Sequence, residues 1–210
     1  MIRVYNEHYL TDVMETMGAM LDYAVNSCGE DRTLFYARFL RSGIPEQIER
    51  GNPRYLCGIS GIEMAMEVAR RTGPALKEAE PYINIGSPEY WTGWALGYLQ
   101  RTLERGFMAL YRAGLDDTAL HSRYAALHEA DLTKVLVCAL QITDKTEGSR
   151  LKRQRKAAHM TQRQLSELSG VSLRVLRAYE QSRISLSAAS AGHIIRLSRA
   201  LSCTPEQLAG

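Results

Sequence analysis

The side chains whose types and spacing best suit chemistry lie near the C-terminus, in Met160 to Glu180, MTQRQLSELSGVSLRVLRAYE. Arg174 and Arg177 stand one helical turn apart there, and an arginine fork can bond guanine O6 and N7 together. The other candidates are weaker. His121 and His128 are seven residues apart, beyond the i,i+4 spacing of a metal pair on one helix. His128-Glu129 does not open a metalloprotease HExxH pattern, because position 132 is Leu132. GISGIEM, Gly58 to Met64, lacks the Lys-Ser/Thr of a phosphate loop, and Ser60 reads better as a helix cap than as a nucleophile. Arg54, Tyr55, Glu89, Tyr90 and Arg101 are a possible polar set, but no spacing makes them converge. Cys28, Cys57, Cys138 and Cys203 form no CxxC pair and read as buried or free thiols of a reducing cytosol. No catalytic group, metal site or cofactor is expected, and the chain is not expected to be an enzyme.

Two short helices must position the arginines. Thr161 is a good N-cap, with Leu165 and Leu168 on one face of the helix it starts. Gly170 supplies the turn, since a helix stopped at Ser169 needs a residue that tolerates positive φ. Ser172 caps again, and Leu176 with Tyr179 gives the second helix an inward face. Helix, glycine turn and helix within about 20 residues is the helix-turn-helix arrangement, whose second helix can lie in the DNA major groove. Charge agrees with that reading. Residues 149–210 hold 11 Lys/Arg against 3 Asp/Glu, a net +8, whereas residues 1–148 hold 15 against 20, a net −5. A basic C-terminal third is the footprint of a phosphate-binding module, and an acidic remainder is a poor wrapper of DNA.

Beyond the motif, residues 149–210 resemble the five-helix DNA-binding domain of Cro/CI-like (Xre-type) regulators. Leu151 and Arg155 match that family's first-helix core residue and buried arginine, and Glu180 matches the glutamate that pairs with the arginine. LSRALSCTPEQL, Leu197 to Leu208, matches the closing helices. Two departures stand out: Ser182 replaces a frequent Gly, and Ser182 to Ser190 lacks the usual Pro-Ser start, which places the fourth helix start near Ser187. The resemblance implies that the helix Ser172–Gln181 reads bases through Ser172, Leu173, Arg174, Arg177 and Ala178. Arg174 is the first choice for guanine, while Leu173 and Ala178 offer apolar contact to thymine methyls. It also implies that Gln162, with its helix N-terminus, holds a phosphate, and that Arg183, Arg163 and Arg153 add phosphate contacts. Arg155 and Glu180 are then a structural pair.

The rest of the chain reads as helical. Leu10, Val13, Met14, Met17, Leu21, Ala24 and Val25 recur at three- and four-residue steps, giving a helix over residues 9–27. Met14, Met17 and Met20 suit either an adaptable partner face or ordinary core, and core is the better reading. Asp31 caps a helix to Arg41, stopped by Gly43, and Pro45 opens a short helix closed by Gly51. Asn52 to Gly58 reads as a loop or extended piece. Ser60 and Glu63 form a capping-box pattern for a helix that Gly73-Pro74 ends. Ser87-Pro88 opens a longer helix to about Gly106, striped by Trp91, Trp94, Ala95, Tyr98 and Leu99. That stripe could serve a ligand or partner, but helical spacing favours core. A short helix follows over Phe107 to Gly114, Asp117 caps another, and Asp131 starts a final one. TDKTEGS, Thr143 to Ser149, is polar and aperiodic and reads as the linker between domains 1–145 and 149–210.

The fold class is therefore all-α, a helical N-terminal domain followed by a five-helix, lambda-repressor-like helix-turn-helix domain. No secretory leader is expected from MIRVYNEHYL, no membrane helix from the hydropathy, and no dimerisation domain after Gly210. Ser42 to Leu56, Ser87 to Gln100 and His128 to Lys134 resemble, more softly, the front half of bacterial Xre-type proteins encoded beside toxin-like genes. The reading is a cytoplasmic, sequence-specific transcriptional regulator that binds operator DNA as a homodimer and controls its own operon. One alternative is an antitoxin that neutralises a cognate toxin through the N-terminal domain. Another is a small-molecule-sensing or enzymatic N-terminal domain built around the Trp91/Trp94 helix.

Overall fold

The computed structural model describes residues 5–209, apart from the side chains of Glu147, Ser149 and Ala209. The reading of the first residues as leader-free rests partly on Met1 to Val4, outside the described residues. All regular elements among the described residues are helical, and none of these helices is long and apolar enough to cross a membrane. The chain divides into two compact units, Met1–Leu136 and Val137–Gly210.

The first unit holds α1 (Leu10–Asp22), α2 (Arg32–Arg41), α3 (Ile44–Glu49), α4 (Pro53–Leu56), α5 (Gly61–Thr72), α6 (Pro88–Thr102), α7 (Phe107–Arg112), α8 (Asp117–His121) and α9 (Tyr124–Leu127). The expected caps are present. Asp31 accepts from Leu34 N at 2.8 Å, Ser60 and Glu63 close a reciprocal capping box, and Ser87 accepts from Tyr90 N at 2.9 Å. Two local expectations are corrected. Asn52 to Gly58 is not a plain loop, because Asn52 caps a one-turn helix in which Pro53 takes the first position, where its missing N–H costs nothing. Asp116, not Asp117, caps α8, accepting from Ala119 N at 2.7 Å. Asp117 is buried instead, accepting from Arg32 Nε at 2.9 Å and Thr33 Oγ1 at 3.1 Å.

The core of this unit is the packing of α1 on α6. Met14, Met17 and Met20 are buried, as are Trp91, Ala95 and Leu99, with Trp94 and Tyr98 half-buried at the rim. What brings the two axes so close is a pair of glycines four apart on α6. A Cβ at Gly93 would collide with the Met17 carbonyl group, and one at Gly97 would lie 3.1 Å from Met14 Cα. Two helices can approach this closely only where side chains are absent. The fully buried Asp22 at the end of α1 then fixes the connection into α6. It accepts from Asn26 Nδ2 (2.7 Å), Asn84 N (2.8 Å) and Ser87 Oγ (2.5 Å), so both carboxylate oxygens are satisfied.

The second unit holds most of α10 (Leu132–Ala157), within which the division falls, then α11 (Gln162–Ser169), α12 (Leu173–Glu180), α13 (Ala191–Ala200) and α14 (Pro205–Ala209). Leu151, Leu165, Val171, Leu176, Tyr179 and Leu197 form its core. Thr161 caps α11 with a reciprocal Gln164 contact, and Gly170 takes φ +65°, as the turn requires. Leu168 departs from expectation: it is 66% exposed, because α11 turns Leu165 and Ser169 inward instead. The fourth helix starts at Ala191 with Ser190 as its cap, not near Ser187.

The largest difference concerns residues 143–149, which are helix and not linker. Polarity misled here, since this stretch contains Lys145 and Glu147, has no proline, and turns Thr143 and Gly148 inward. Thr143 is buried, and the Gly148 backbone lies against the end of α12. A Cβ at Gly148 would sit 2.6 Å from the Tyr179 carbonyl oxygen and 2.5 Å from Ser182 Oγ. Gly in a helix interior costs about 1 kcal/mol relative to Ala, and close packing is what offsets it.

Candidate nucleic-acid interface

The interface follows from the two faces of α12. Leu176 and Tyr179 turn into the core, and the Tyr179 hydroxyl lies 2.8 Å from His193 Nδ1 on α13. Ser172 caps the helix by accepting from Val175 N at 3.4 Å. The outward face carries Leu173, Arg174, Arg177 and Ala178 at three- and four-residue steps, and these line one open groove of about 670 Å³ together with Gln181 and Arg183. Three guanidinium groups and no carboxylate line that groove. Arg174 and Arg183 are exposed and bond no side chain among the described residues, so their donors are available to a ligand. Gln181 was not among the residues singled out in the sequence. Its signal was present, since 181 continues the spacing of 173, 174, 177 and 178 round one more turn.

Behind the groove, Glu180 is the centre of a polar cluster. Arg155 donates to it through two nitrogens, Nε to Oε1 at 2.6 Å and Nη2 to Oε2 at 3.0 Å, and through Nη1 to the Met160 carbonyl at 2.7 Å. The Glu180 side chain is 2% exposed and that of Arg155 11%. Hydrogen bonding to the carboxylate raises the Arg155 pKa above its ordinary value. The expected structural pair is thus formed, bidentate and nearly dry. Gln162 extends the cluster. Its Nε2 donates to Glu180 Oε2 at 2.8 Å and its Oε1 accepts from Arg177 Nε at 3.4 Å. The glutamine at the start of α11 is therefore tied to the buried pair on one side and to a groove arginine on the other. The amide orientation is the one that satisfies both partners.

The remaining predicted contacts are dispersed. Arg163 is exposed at the start of α11 with Glu167 3.8 Å away, and Arg153 is exposed on α10; neither lines the groove. In the N-terminal unit the polar set does not converge. Arg54 lies over the Tyr55 ring, while the Tyr55 hydroxyl accepts from Arg71 Nη2 at 2.6 Å. Glu89 accepts from Asn26 and meets His121 Nε2 at 3.0 Å, and Arg101 Nε donates to the Tyr5 carbonyl. His128 stacks on Tyr124. Among the described residues no group of three or more His, Cys, Asp or Glu could hold a metal ion. An apolar groove of about 790 Å³ runs beside α5, lined by residues including Tyr23, Ile62, Met66, Leu76 and Pro81.

A capped helix, an αL glycine turn and a second helix with a basic outward face define a helix-turn-helix domain. The comparison with known families agrees: residues 151–208 match the family described as helix-turn-helix, so this segment is a Cro/CI-type, Xre-like helix-turn-helix of a DNA-binding regulator. No curated protein and no solved structure matches the chain.

Proposed function

We propose that the protein is a sequence-specific transcriptional regulator that binds operator DNA as a homodimer and controls its own operon. The observation that carries this reading is the groove on α12, where Arg174, Arg177 and Arg183 surround Leu173, Ala178 and Gln181 with no acidic group among them. Arg174 reads guanine, Leu173 and Ala178 meet thymine methyls, and Arg183 holds the backbone. No side chain in this account does covalent chemistry, and the regulator works without a cofactor. Arg174→Ala is expected to lose about 1–3 kcal/mol on a duplex from the protein's own upstream region, with little change on a random duplex. Anisotropy titrations on both duplexes measure this. Equal losses on the two would remove Arg174 from the base-reading set.

One helix-turn-helix contacts one half-site, and two half-sites a helical turn apart call for two copies. The N-terminal unit supplies the dimer contact in this reading. Sedimentation at micromolar protein is expected to show twice the chain mass, alone and on DNA; a single species at chain mass in both would overturn the dimer. A second reading rests on the resemblance of Ser42–Leu56, Ser87–Gln100 and His128–Lys134 to antitoxin-like regulators. In it the N-terminal unit binds a toxin protein encoded beside the gene, and a stoichiometric complex in the same sedimentation experiment with that protein would favour it.

A further inference from the structure

The matched segment begins at Leu151, yet α10 continues through the preceding turns as part of the same unit. Gln141, Asp144, Gly148, Leu151 and Arg155 recur at three- and four-residue steps and so share one face of that helix. Its lower end packs on the core through Leu151 and Arg155. Its upper end packs on the exit of α12, where Gly148 admits the Tyr179 carbonyl and the Ser182 hydroxyl, and Ser182 Oγ donates to the Asp144 carbonyl at 2.9 Å. Ser182 itself holds φ +53°, the left-handed conformation that a glycine would take without strain. The hydroxyl bond to α10 is a reason for serine at this position.

This packing brings a second cleft to the edge of the first. Gln141, Asp144, Lys145, Glu180, Gln181 and Ser182 line an opening of about 440 Å³, and Gln181 lines both it and the arginine groove. Lys145 is exposed and bonds no group among the described residues. The Glu180 carboxylate in the cleft wall is already engaged by Arg155, and Asp144 is the other acidic residue that lines the cleft. On the far side of Gln181 stands Arg183, also exposed. Two cations therefore flank one amide at the exit of the helix that carries the base-reading arginines.

We propose that Lys145, with Gln181, forms a phosphate-contact subsite for the DNA backbone, so that the N-terminal extension of the first helix enlarges the DNA footprint beyond the helix-turn-helix proper. The inference rests on the DNA-binding reading above. The ligand is a phosphodiester of the same duplex, held by the Lys145 ammonium as a point charge and by the Gln181 amide as a donor. Such a contact carries no sequence information. Its signature is electrostatic, because each phosphate neutralised releases condensed counterion and adds about 0.9 to the slope of log K against log salt.

The test is a salt series of anisotropy titrations on the full-length protein, with its own upstream duplex and a random duplex. Wild type, Lys145→Ala, Lys145→Arg, Arg174→Ala and Lys77→Ala, an exposed lysine of the N-terminal unit, are compared. Lys145→Ala is expected to lower the slope by about 1, to weaken both duplexes by the same factor, and to be restored by Lys145→Arg. Lys77→Ala is expected to keep the wild-type slope. Wild-type slope in Lys145→Ala, beside specificity lost in Arg174→Ala, would overturn the subsite and leave the DNA reading standing. Loss confined to the upstream duplex at unchanged slope would make Lys145 a base reader and also overturn it. Failure of the wild type to bind either duplex would overturn the reading and the subsite together. Lys→Ala on an exposed helical position retains helix propensity, so folding is not the variable.

Discussion

Glu180→Ala is expected to destabilise the C-terminal unit by about 3–5 kcal/mol, the range for removing one partner of a buried ion pair. The loss is large because of what remains. Arg155 would stay buried with one carbonyl, Met160 O, for a guanidinium that now has three oxygen contacts. Gln162 would lose its anchor as well, since its amide donates to the same carboxylate. Hydrogen exchange across α11 and α12 is the direct measurement, with protection expected to fall by roughly two to four orders of magnitude. Replacing both partners by apolar residues, as in Arg155→Met with Glu180→Leu, is expected to recover most of the stability, because no charge is then stranded. That double variant should still bind DNA less well, because Gln162 loses its anchor on Glu180 and Arg177 is then bonded to an unanchored amide. A Glu180→Ala protein within about 1 kcal/mol of wild type would mean that water reaches Arg155 and that the pair contributes little to stability.

Gly93→Ala is expected to destabilise the N-terminal unit by an amount near the upper end of the roughly 1–3 kcal/mol typical of overpacking. The sign opposes helix propensity, which favours Ala over Gly by about 1 kcal/mol in a helix interior. Geometry decides, because the added methyl would meet the Met17 carbonyl group and the backbone of α1, not the end of a flexible side chain. Relief therefore requires α1 to move away from α6, which loosens Met14, Met17 and Leu99 together. Gly192→Ala on α13 is the matching control. Its Cβ would meet only Ser190 Oγ, at 4.0 Å, so the same chemical change is expected to be neutral or stabilising there. Urea unfolding followed by the fluorescence of Trp91 and Trp94, both in the N-terminal unit, reads the first variant, and circular dichroism reads the second. A Gly93→Ala protein as stable as wild type would show that the helices separate without loss.

Arg174 and Arg177 of the groove and the glutamate of the buried pair lie on one helix, so the stability of this unit and the presentation of its outward arginines depend on the same eight residues. Arg174 and Arg177 look outward because Leu176, Tyr179 and Glu180 are held inward. A change that frees Glu180 is thus a change in how the recognition helix is presented, even though Glu180 lines no contact with bases in the proposed mode. Residues 1–148 are acidic overall, and the role of the N-terminal unit in the proposed function is assembly.

By itself the sequence determined the helix class, most helix starts, and the recognition helix with its outward arginines. Those features are local: Thr161, Ser172, Ser60 and Ser87 satisfy backbone donors three residues away, Gly170 answers a single dihedral angle, and apolar periodicity within α12 fixes which face is buried. Arg155 and Glu180 were also legible, though only through resemblance, since 25 residues separate them. The tertiary structure decided the rest. The polar stretch 143–149 is helical because Gly148 meets Tyr179 and Ser182, contacts that no window of neighbouring residues contains. Asp117 gave up the role of cap to Asp116 because Arg32, far back in the chain, claims its carboxylate. Gly93 and Gly97 read in isolation as weak points of a helix, and only the close approach of α1 makes them its reason for packing. Local hydrogen bonding and periodicity write themselves into adjacent residues; partners distant in sequence become readable only once the chain has folded and brought them together.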